Sequence, residues 1–221
     1  MKKLIRGIVE FRKNVQEGYR ERFAHLALGQ SPDTLFIACS DSRVAPNAFA
    51  SADPGDLFVI RNVGNLISPA DKDGVSVSDE SEGAAIEFSV LTLGVRDIIV
   101  CGHSECGAMQ AALKGTIPED KPHLRAWLRH SSDALARYAT GTAPDPTLAP
   151  HNRLSQINTL CQRDHLLTYP PVHDAVAAGR LRLHAWWFDI KHADVYTYDE
   201  ETGRFVLIEE SNMESLLKKI D

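Results

Sequence analysis

Three short apolar runs, each followed by a cluster of polar residues, constrain the fold of this chain most. The runs cover residues 35–39, 57–60 and 97–101. Continuous apolar runs of this length are typical of strands buried on both faces of a parallel sheet. A helical pattern separates the second run from the third, with Asp79 and Glu82 as a potential capping box and Gly94 as a potential C-cap. Strands that alternate with helices predict an α/β fold with a central, mainly parallel β-sheet flanked by helices.

The two ends of the chain extend this core. Apolar residues recur at helical spacing near the start, which predicts an N-terminal helical arm over residues 1–30 that needs a surface to pack on; they are Leu4, Ile8, Phe11 and Val15. Further helical stretches are predicted over residues 120–139, 152–178 and 211–220, and the second must break or restart at Pro170 and Pro171. Short strands at 182–190, 195–199 and 205–208 predict an edge hairpin after the parallel strands. No repeat or boundary divides the chain, so we expect one domain over residues 1–221.

Composition narrows the class of protein. No run of about 18 apolar residues is present, and charged residues interrupt the first turns, so neither a membrane span nor a signal peptide is expected. The formal net charge of −6 argues against nucleic acid as a partner. Four scattered cysteines are too few for a disulfide scaffold, which favours reduced thiols and a cytoplasmic location.

The polar clusters carry the chemistry. They are residues 39–43 (CSDSR), 61–65 (RNVGN) and 103–107 (HSECG). The carboxyl ends of parallel strands meet at one edge of a sheet, so we expect these clusters to converge. Cys39, His103 and Cys106 then form a Cys2His set typical of one zinc ion per chain, with an open fourth position as in catalytic sites. The alternative for each residue alone is core packing, which we retain for Cys101 and Cys161.

Asp41 and Arg43 are the second candidate pair. An exposed ion pair between them would contribute only about 0–1 kcal/mol. Beside a zinc ligand, however, the Asp41 carboxylate is placed to accept a hydrogen bond from metal-bound water or to become the fourth ligand. Arg43 would then keep it ionised and oriented by bidentate hydrogen bonding.

Ser104 is expected to cap a following helix over residues 105–114, which Gly115 ends.

Together the three clusters resemble the signature motifs of the β-class carbonic anhydrases, from about Gln30 to Leu113. The resemblance implies a zinc enzyme that interconverts carbon dioxide and bicarbonate through zinc-bound hydroxide. It implies that Cys39, His103 and Cys106 are the zinc ligands. It also implies that Asp41 orients the hydroxide when paired with Arg43, or binds zinc when it is not.

The resemblance further implies a substrate pocket and an oligomer. Gln30 matches a residue contributed across a dimer interface, so a homodimer or higher homo-oligomer is expected. The other matched positions are Phe58, Val63 and Phe88, which line the apolar pocket, and Gly107, whose backbone amide approaches the substrate. Phe36 stands where one subclass has a tryptophan of an inhibitory bicarbonate site, so that site is not expected here.

Two alternatives stay open on the sequence. Similar scaffolds hydrolyse carbonyl sulfide or carbon disulfide with the same ligands. A zinc-binding module without catalysis is the other alternative, although the intact Asp41 and Arg43 pair argues against it. Carbon dioxide and bicarbonate are the expected partners, with no nucleic acid and no membrane.

Overall fold

The computed structural model describes residues 1–115 and 117–220. Its six-stranded sheet has the order β2-β1-β3-β4-β5-β6. The strands are β1 Thr34–Cys39, β2 Leu57–Asn62, β3 Asp97–His103, β4 Arg182–Asp189, β5 Asp194–Asp199 and β6 Arg204–Leu207. The first four are parallel, and β5 and β6 add two antiparallel pairings at one edge. The predicted mainly parallel sheet with an edge hairpin is confirmed.

Helices cover the sheet and extend from it. They are α1 Lys2–Asn14, α2 Gln16–Leu26, α3 Pro46–Phe49, α4 Glu80–Glu87, α5 Gly107–Lys114, α6 Pro122–Trp127, α7 Ser132–Ala139, α8 Pro150–Leu166, α9 Pro170–Ala177 and α10 Met213–Lys218. A π-helical segment, Phe88–Leu93, continues α4, and a 3-10 turn, Leu128–Ser131, joins α6 to α7. The predicted helix at 152–178 divides before Pro170, because proline cannot continue a helical hydrogen-bond ladder.

Strand β1 lies at the centre of the core, which explains why apolar and polar residues do not alternate in its sequence. Its side chains point alternately to the two faces, yet residues 35–38 are all fully buried. Leu35 and Ile37 pack with the layer of α4 and α9, while Phe36 and Ala38 pack with Phe188 on the other face. Burial on both faces requires an apolar residue at every position.

The predicted helix ends are confirmed in part. The Asp79 side chain accepts a hydrogen bond from the Glu82 backbone N–H at 3.0 Å, and Gly94 ends the helical segment with φ +68°. The prediction that Ser104 caps a helix from residue 105 is wrong, since α5 begins at Gly107 after the N-cap residue Cys106. Ser104 Oγ instead donates to Asp189 Oδ1 at 2.9 Å and accepts from Ile190 N, which joins β3 to the end of β4.

The N-terminal arm (residues 1–30) forms α1 and α2, and neither helix has a buried residue. The apolar stripe residues Leu4, Ile8, Phe11 and Val15 are each 40% exposed or more. Arg22 anchors α2 to the turn before β2 through ion pairs with Asp53 and Asp56. None of the described helices is long and apolar enough to cross a membrane.

Candidate metal centre

The ends of β1 and β3 bring three predicted ligands together. Cys39 is the last residue of β1 and His103 the last of β3, and these strands are hydrogen-bonded neighbours. Cys106 follows three residues later, at the start of α5. The two sulfur atoms and a ring nitrogen of His103 lie within 4.8 Å of one another. All three side chains are buried, at 5% exposure or less.

His103 is fixed in the form that a metal ligand requires. Its Nδ1 lies 2.8 Å from the Ser104 carbonyl oxygen, and because a carbonyl can only accept, Nδ1 carries the proton and donates. Nε2 therefore carries the lone pair, and it is buried with no hydrogen-bond partner. A buried acceptor without a partner is costly unless something else fills its place. The donor set therefore fits a zinc ion, whose preferred ligands are thiolate sulfur and imidazole nitrogen.

The two cysteines of the cluster share one proton, which shifts their pKa values in opposite directions. A hydrogen bond from Cys106 is the main cause that lowers the pKa of Cys39 to about 4, with further help from Gly64 N, which donates to Cys39 Sγ at 3.3 Å. The same shared hydrogen bond, with burial, raises the pKa of Cys106, although N–H groups of the first turn of α5 oppose it. The opposite directions describe one proton held between two thiols. Cys101 and Cys161 pack in the apolar core as predicted.

The loop between His103 and Cys106 is held in a sparsely populated conformation. Glu105 has φ +56°, in the left-handed region that non-glycine residues rarely adopt. The first turn of α8 fixes it: Glu105 N donates to Asn152 Oδ1 at 2.8 Å, and Asn152 Nδ2 donates to Glu105 Oε1 at 3.1 Å. His151 Nε2 lies 3.0 Å from Oε2 of the same carboxylate. Asn152 lies 47 residues from Glu105, and no local sequence signal marked it.

Asp41 and Arg43 form the predicted bidentate pair. Arg43 Nε donates to Asp41 Oδ1 at 2.9 Å, Nη2 donates to Oδ2 at 2.7 Å, and Arg43 N also donates to Oδ1. These bonds hold the pKa of Asp41 well below its ordinary value. Arg43 Nη2 also donates to the Glu105 carbonyl, so the pair joins the loops after β1 and β3. Asp41 faces Arg43 here and is not part of the ligand cluster.

Arg61 supports the same loop from β2. Its guanidinium donates to the carbonyl oxygen of Cys39 at 2.9 and 3.1 Å and to that of Asp41 at 2.7 Å. The sequence marked Arg61 only as part of a polar cluster after a strand. Its function as a clamp on the backbone of the ligand loop appears only in the structure.

The predicted pocket residues separate into two groups. Val63 follows β2 and is 45% exposed, and Gly107 follows Cys106, so both lie beside the cluster. Phe58 is level with Leu35, four residues before Cys39, or about 13 Å along the strand. Its ring contacts that of Phe88 at 5.9 Å between centroids. Gln30 precedes β1 and lines a surface cavity formed with α2 and residues 54–56, at the opposite end of the sheet.

Comparisons with known proteins agree with this geometry. A family model described as carbonic anhydrase matches residues 34–195. A carbonic anhydrase of Synechocystis sp. is 38% identical over 93% of this chain and 74% of its own length. One from Pseudomonas aeruginosa is 37% identical over 95% of this chain and 93% of its own.

Solved structures extend the likeness to the fold. The β-carbonic anhydrase CcaA matches with a TM-score of 0.84 and 38% identity, over 94% of this chain and 99% of that one. A tetrameric β-carbonic anhydrase of the ascomycete Sordaria macrospora matches with a TM-score of 0.73 and 29% identity, over 89% and 97% of the two chains. The chain belongs to the β-class carbonic anhydrase family.

Proposed function

We propose that Cys39, His103 and Cys106 hold the zinc ion with which this carbonic anhydrase interconverts carbon dioxide and bicarbonate. The observation that carries this proposal is the buried Nε2 lone pair of His103, which lacks a partner and lies beside two sulfur atoms. Three protein ligands leave one tetrahedral position open for chemistry. When bound, zinc supplies a nucleophile at neutral pH, because it lowers the pKa of a coordinated water from 15.7 to about 7.

Asp41 orients the attacking water in this proposal. Its low pKa keeps the carboxylate ionised, and Arg43 fixes its plane through two parallel hydrogen bonds. Oδ1 accepts two N–H donors of Arg43 but Oδ2 accepts only one, so Oδ2 has a lone pair that accepts a hydrogen bond from water and aims that water at the substrate carbon. Binding of Asp41 itself to zinc is the alternative arrangement, and it requires Arg43 to release both bonds.

Val63 and Gly107 supply substrate contacts beside the ligands. The half-exposed Val63 side chain offers an apolar surface for carbon dioxide. Gly107 is the first residue of α5, where a backbone N–H has no helical partner and is free to donate to a bicarbonate oxygen. A Cβ at Gly107 would meet nothing within 4 Å, so the space beside this residue is open.

A second subunit completes the pocket in our proposal. Three of the predicted pocket residues lie at the edge of the sheet where the parallel strands begin and cannot reach the metal ligands of their own chain; they are Gln30, Phe58 and Phe88. Exposed apolar side chains surround this region and the arm, among them Val59, Phe88, Leu91, Ile5 and Phe23. The Sordaria macrospora relatives are tetrameric. A homodimer or larger homo-oligomer, with the arm packed on the partner subunit, buries these surfaces and adds the three residues to the neighbouring site.

The four cysteines are all free and buried. Oxidation of either ligand thiol would release the metal, so we propose a reducing compartment, the cytoplasm, as the working environment.

The decisive experiment combines metal analysis with a stopped-flow carbon dioxide hydration assay. We expect Cys39→Ala to lose zinc and hydration together, while Cys161→Ala, a matched buried cysteine outside the site, retains both. Full zinc content and unchanged hydration in Cys39→Ala would contradict the ligand assignment. Assays with carbonyl sulfide on the same preparations test the alternative substrate.

A further inference from the structure

The loop after β2 supports the metal centre but has an unfavourable backbone conformation. Gly64 N donates to Cys39 Sγ at 3.3 Å, so the loop position sets one hydrogen bond to a ligand. Gly64 and Asn65 have φ +87° and +44°, which places two successive residues in the left-handed region. Glycine adopts this region freely, whereas Asn65 does so at a cost in free energy and stays there only where neighbouring groups hold it.

The Asn62 side chain closes this loop on itself. Leu66 N donates to Asn62 Oδ1 at 2.9 Å, and Asn62 Nδ2 donates to the Leu66 carbonyl at 2.7 Å. This pairing works in only one orientation of the amide, because a flipped side chain would set Nδ2 against the Leu66 N–H. The loop therefore depends on whatever fixes the amide of Asn62.

Glu82 fixes that amide. Its carboxylate reaches from the first turn of α4, where Glu82 is 3% exposed. Asn62 Nδ2 donates to Glu82 Oε1 at 3.0 Å, so the NH2 side of the amide must face α4. Ser68 N donates to Glu82 Oε2, also at 3.0 Å, which holds the chain just beyond the loop. One buried carboxyl group thus binds both ends of residues 62–68.

We propose that Glu82 is a positioning residue for the metal centre, acting through Asn62 and the loop that presents Gly64 to Cys39. Glu82 touches neither ligand nor substrate. The inference rests on the proposed ligand role of Cys39. A carboxyl oxygen keeps a lone pair for an N–H donor in either protonation state, whereas the amide nitrogen of glutamine has none. Glu82→Gln therefore sets two donors against each other at one of the two contacts.

The test measures zinc affinity by chelator competition, together with the absorption spectrum of the cobalt-substituted protein. The matched control is Glu80→Gln, an exposed residue of the same helical turn. We expect Glu82→Gln to weaken zinc binding about 10- to 100-fold relative to this control, as removal of groups that support metal ligands does. We also expect its thiolate-to-cobalt charge-transfer band to shift, which a loss of stability alone would not cause.

Asn62→Ala removes the donor of the same hydrogen bond and leaves Glu82 in place. If Glu82→Gln folds poorly, the zinc affinity of Asn62→Ala tests the inference instead. The two substitutions should weaken binding less than additively, since they remove one pathway. Zinc affinity and cobalt spectra equal to the control in both variants would overturn the inference. If Cys39→Ala also binds zinc normally, the proposed function fails first; if only Cys39→Ala loses zinc, the inference about Glu82 alone fails.

Discussion

Gly102 offers the sharpest test of how the metal centre is packed. It directly precedes His103 in β3 and faces α8. A Cβ added at Gly102 would lie 2.1 Å from Thr159 Oγ1, 3.2 Å from Trp187 Cδ1 and 3.3 Å from the Ser155 carbonyl oxygen. The first distance is impossible, so Gly102→Ala must rotate Thr159 or move α8 away from the sheet.

The cost follows from these contacts. Forcing a methyl group into a packed core costs about 1–3 kcal/mol. Rotation of Thr159 would also break its hydrogen bond to the Ser155 carbonyl, at 2.9 Å, which adds roughly 0.5–1.5 kcal/mol. We therefore expect Gly102→Ala to lower the free energy of unfolding by about 2–4 kcal/mol. Thr159→Ala removes the shortest contact, so the double variant should recover at least about 1 kcal/mol relative to the sum of the single changes.

Urea unfolding of the four zinc-loaded proteins at one protein concentration measures this cycle. Equal concentration matters because self-association adds to apparent stability. Movement of α8 would also disturb the hydrogen bond from Ser155 Oγ to the His103 carbonyl, so zinc affinity of Gly102→Ala should fall as well. A single variant as stable as the wild type, or a cycle additive within about 0.5 kcal/mol, would refute the packing argument.

Three further predictions address the dyad, a buried acid and the arm. Asp41→Asn should retain zinc but lower kcat by roughly 100-fold or more, measured by stopped-flow hydration, because the carboxamide cannot accept as the carboxylate does; wild-type rates would show that Asp41 is a bystander. Burial raises the pKa of Glu82 to about 8, so the folded protein keeps a proton that the unfolded chain releases above about pH 4.5. As the pH rises from about 4.5 to about 8, the free energy of unfolding of the wild type should therefore fall relative to that of Glu82→Gln, on the order of a few kcal/mol. The same pH dependence of the free energy of unfolding in both proteins would contradict the raised pKa of Glu82. Deletion of residues 1–28 should yield monomers by sedimentation and reduced hydration, and a fully active dimer would remove the proposed role of the arm.

The clustering of Cys39, His103 and Cys106 was predictable because each part of the pattern is local. An apolar run followed by a polar cluster needs only neighbouring residues to be recognised, and parallel pairing then places strand ends together without further information. That is why Cys39 and His103 could be joined across 64 positions of sequence. The separation of Phe58 from Val63 follows from the same strand geometry, since the two residues lie at opposite ends of β2.

The supporting contacts were not predictable, because their partners are distant and their residue types are ordinary. Ser104 resembles a helix cap by position, yet its hydroxyl bonds Asp189, 85 residues away. Glu82 resembles the second half of a capping box, but its carboxyl turns inward to Asn62. A local motif specifies what a side chain can do, and tertiary packing decides which of the competing partners it finds.

Helix α8 shows why these supporting contacts could not be predicted from the sequence. A polar stripe at three- and four-residue spacing runs along it, and on sequence alone such a stripe is typical of a solvent-facing surface. Here the stripe is 8% exposed or less; it comprises Asn152, Ser155, Asn158, Thr159 and Gln162. Four of these side chains bond the backbone of the site loops: Asn152 accepts from Glu105 N, Ser155 donates to the His103 carbonyl, Asn158 donates to the Gly64 carbonyl, and Gln162 accepts from Ile67 N.

These contacts are what irregular loops at a buried site require. A metal site at strand ends leaves backbone groups outside the sheet ladder, and each buried group without a partner costs about 1–3 kcal/mol. The polar stripe of α8 satisfies those groups where water cannot. The hydrophobic pattern of α8 is weak because one face of the helix packs against the loops of the metal centre. That buried polar face supplies the hydrogen bonds that the loops with the ligand motifs need.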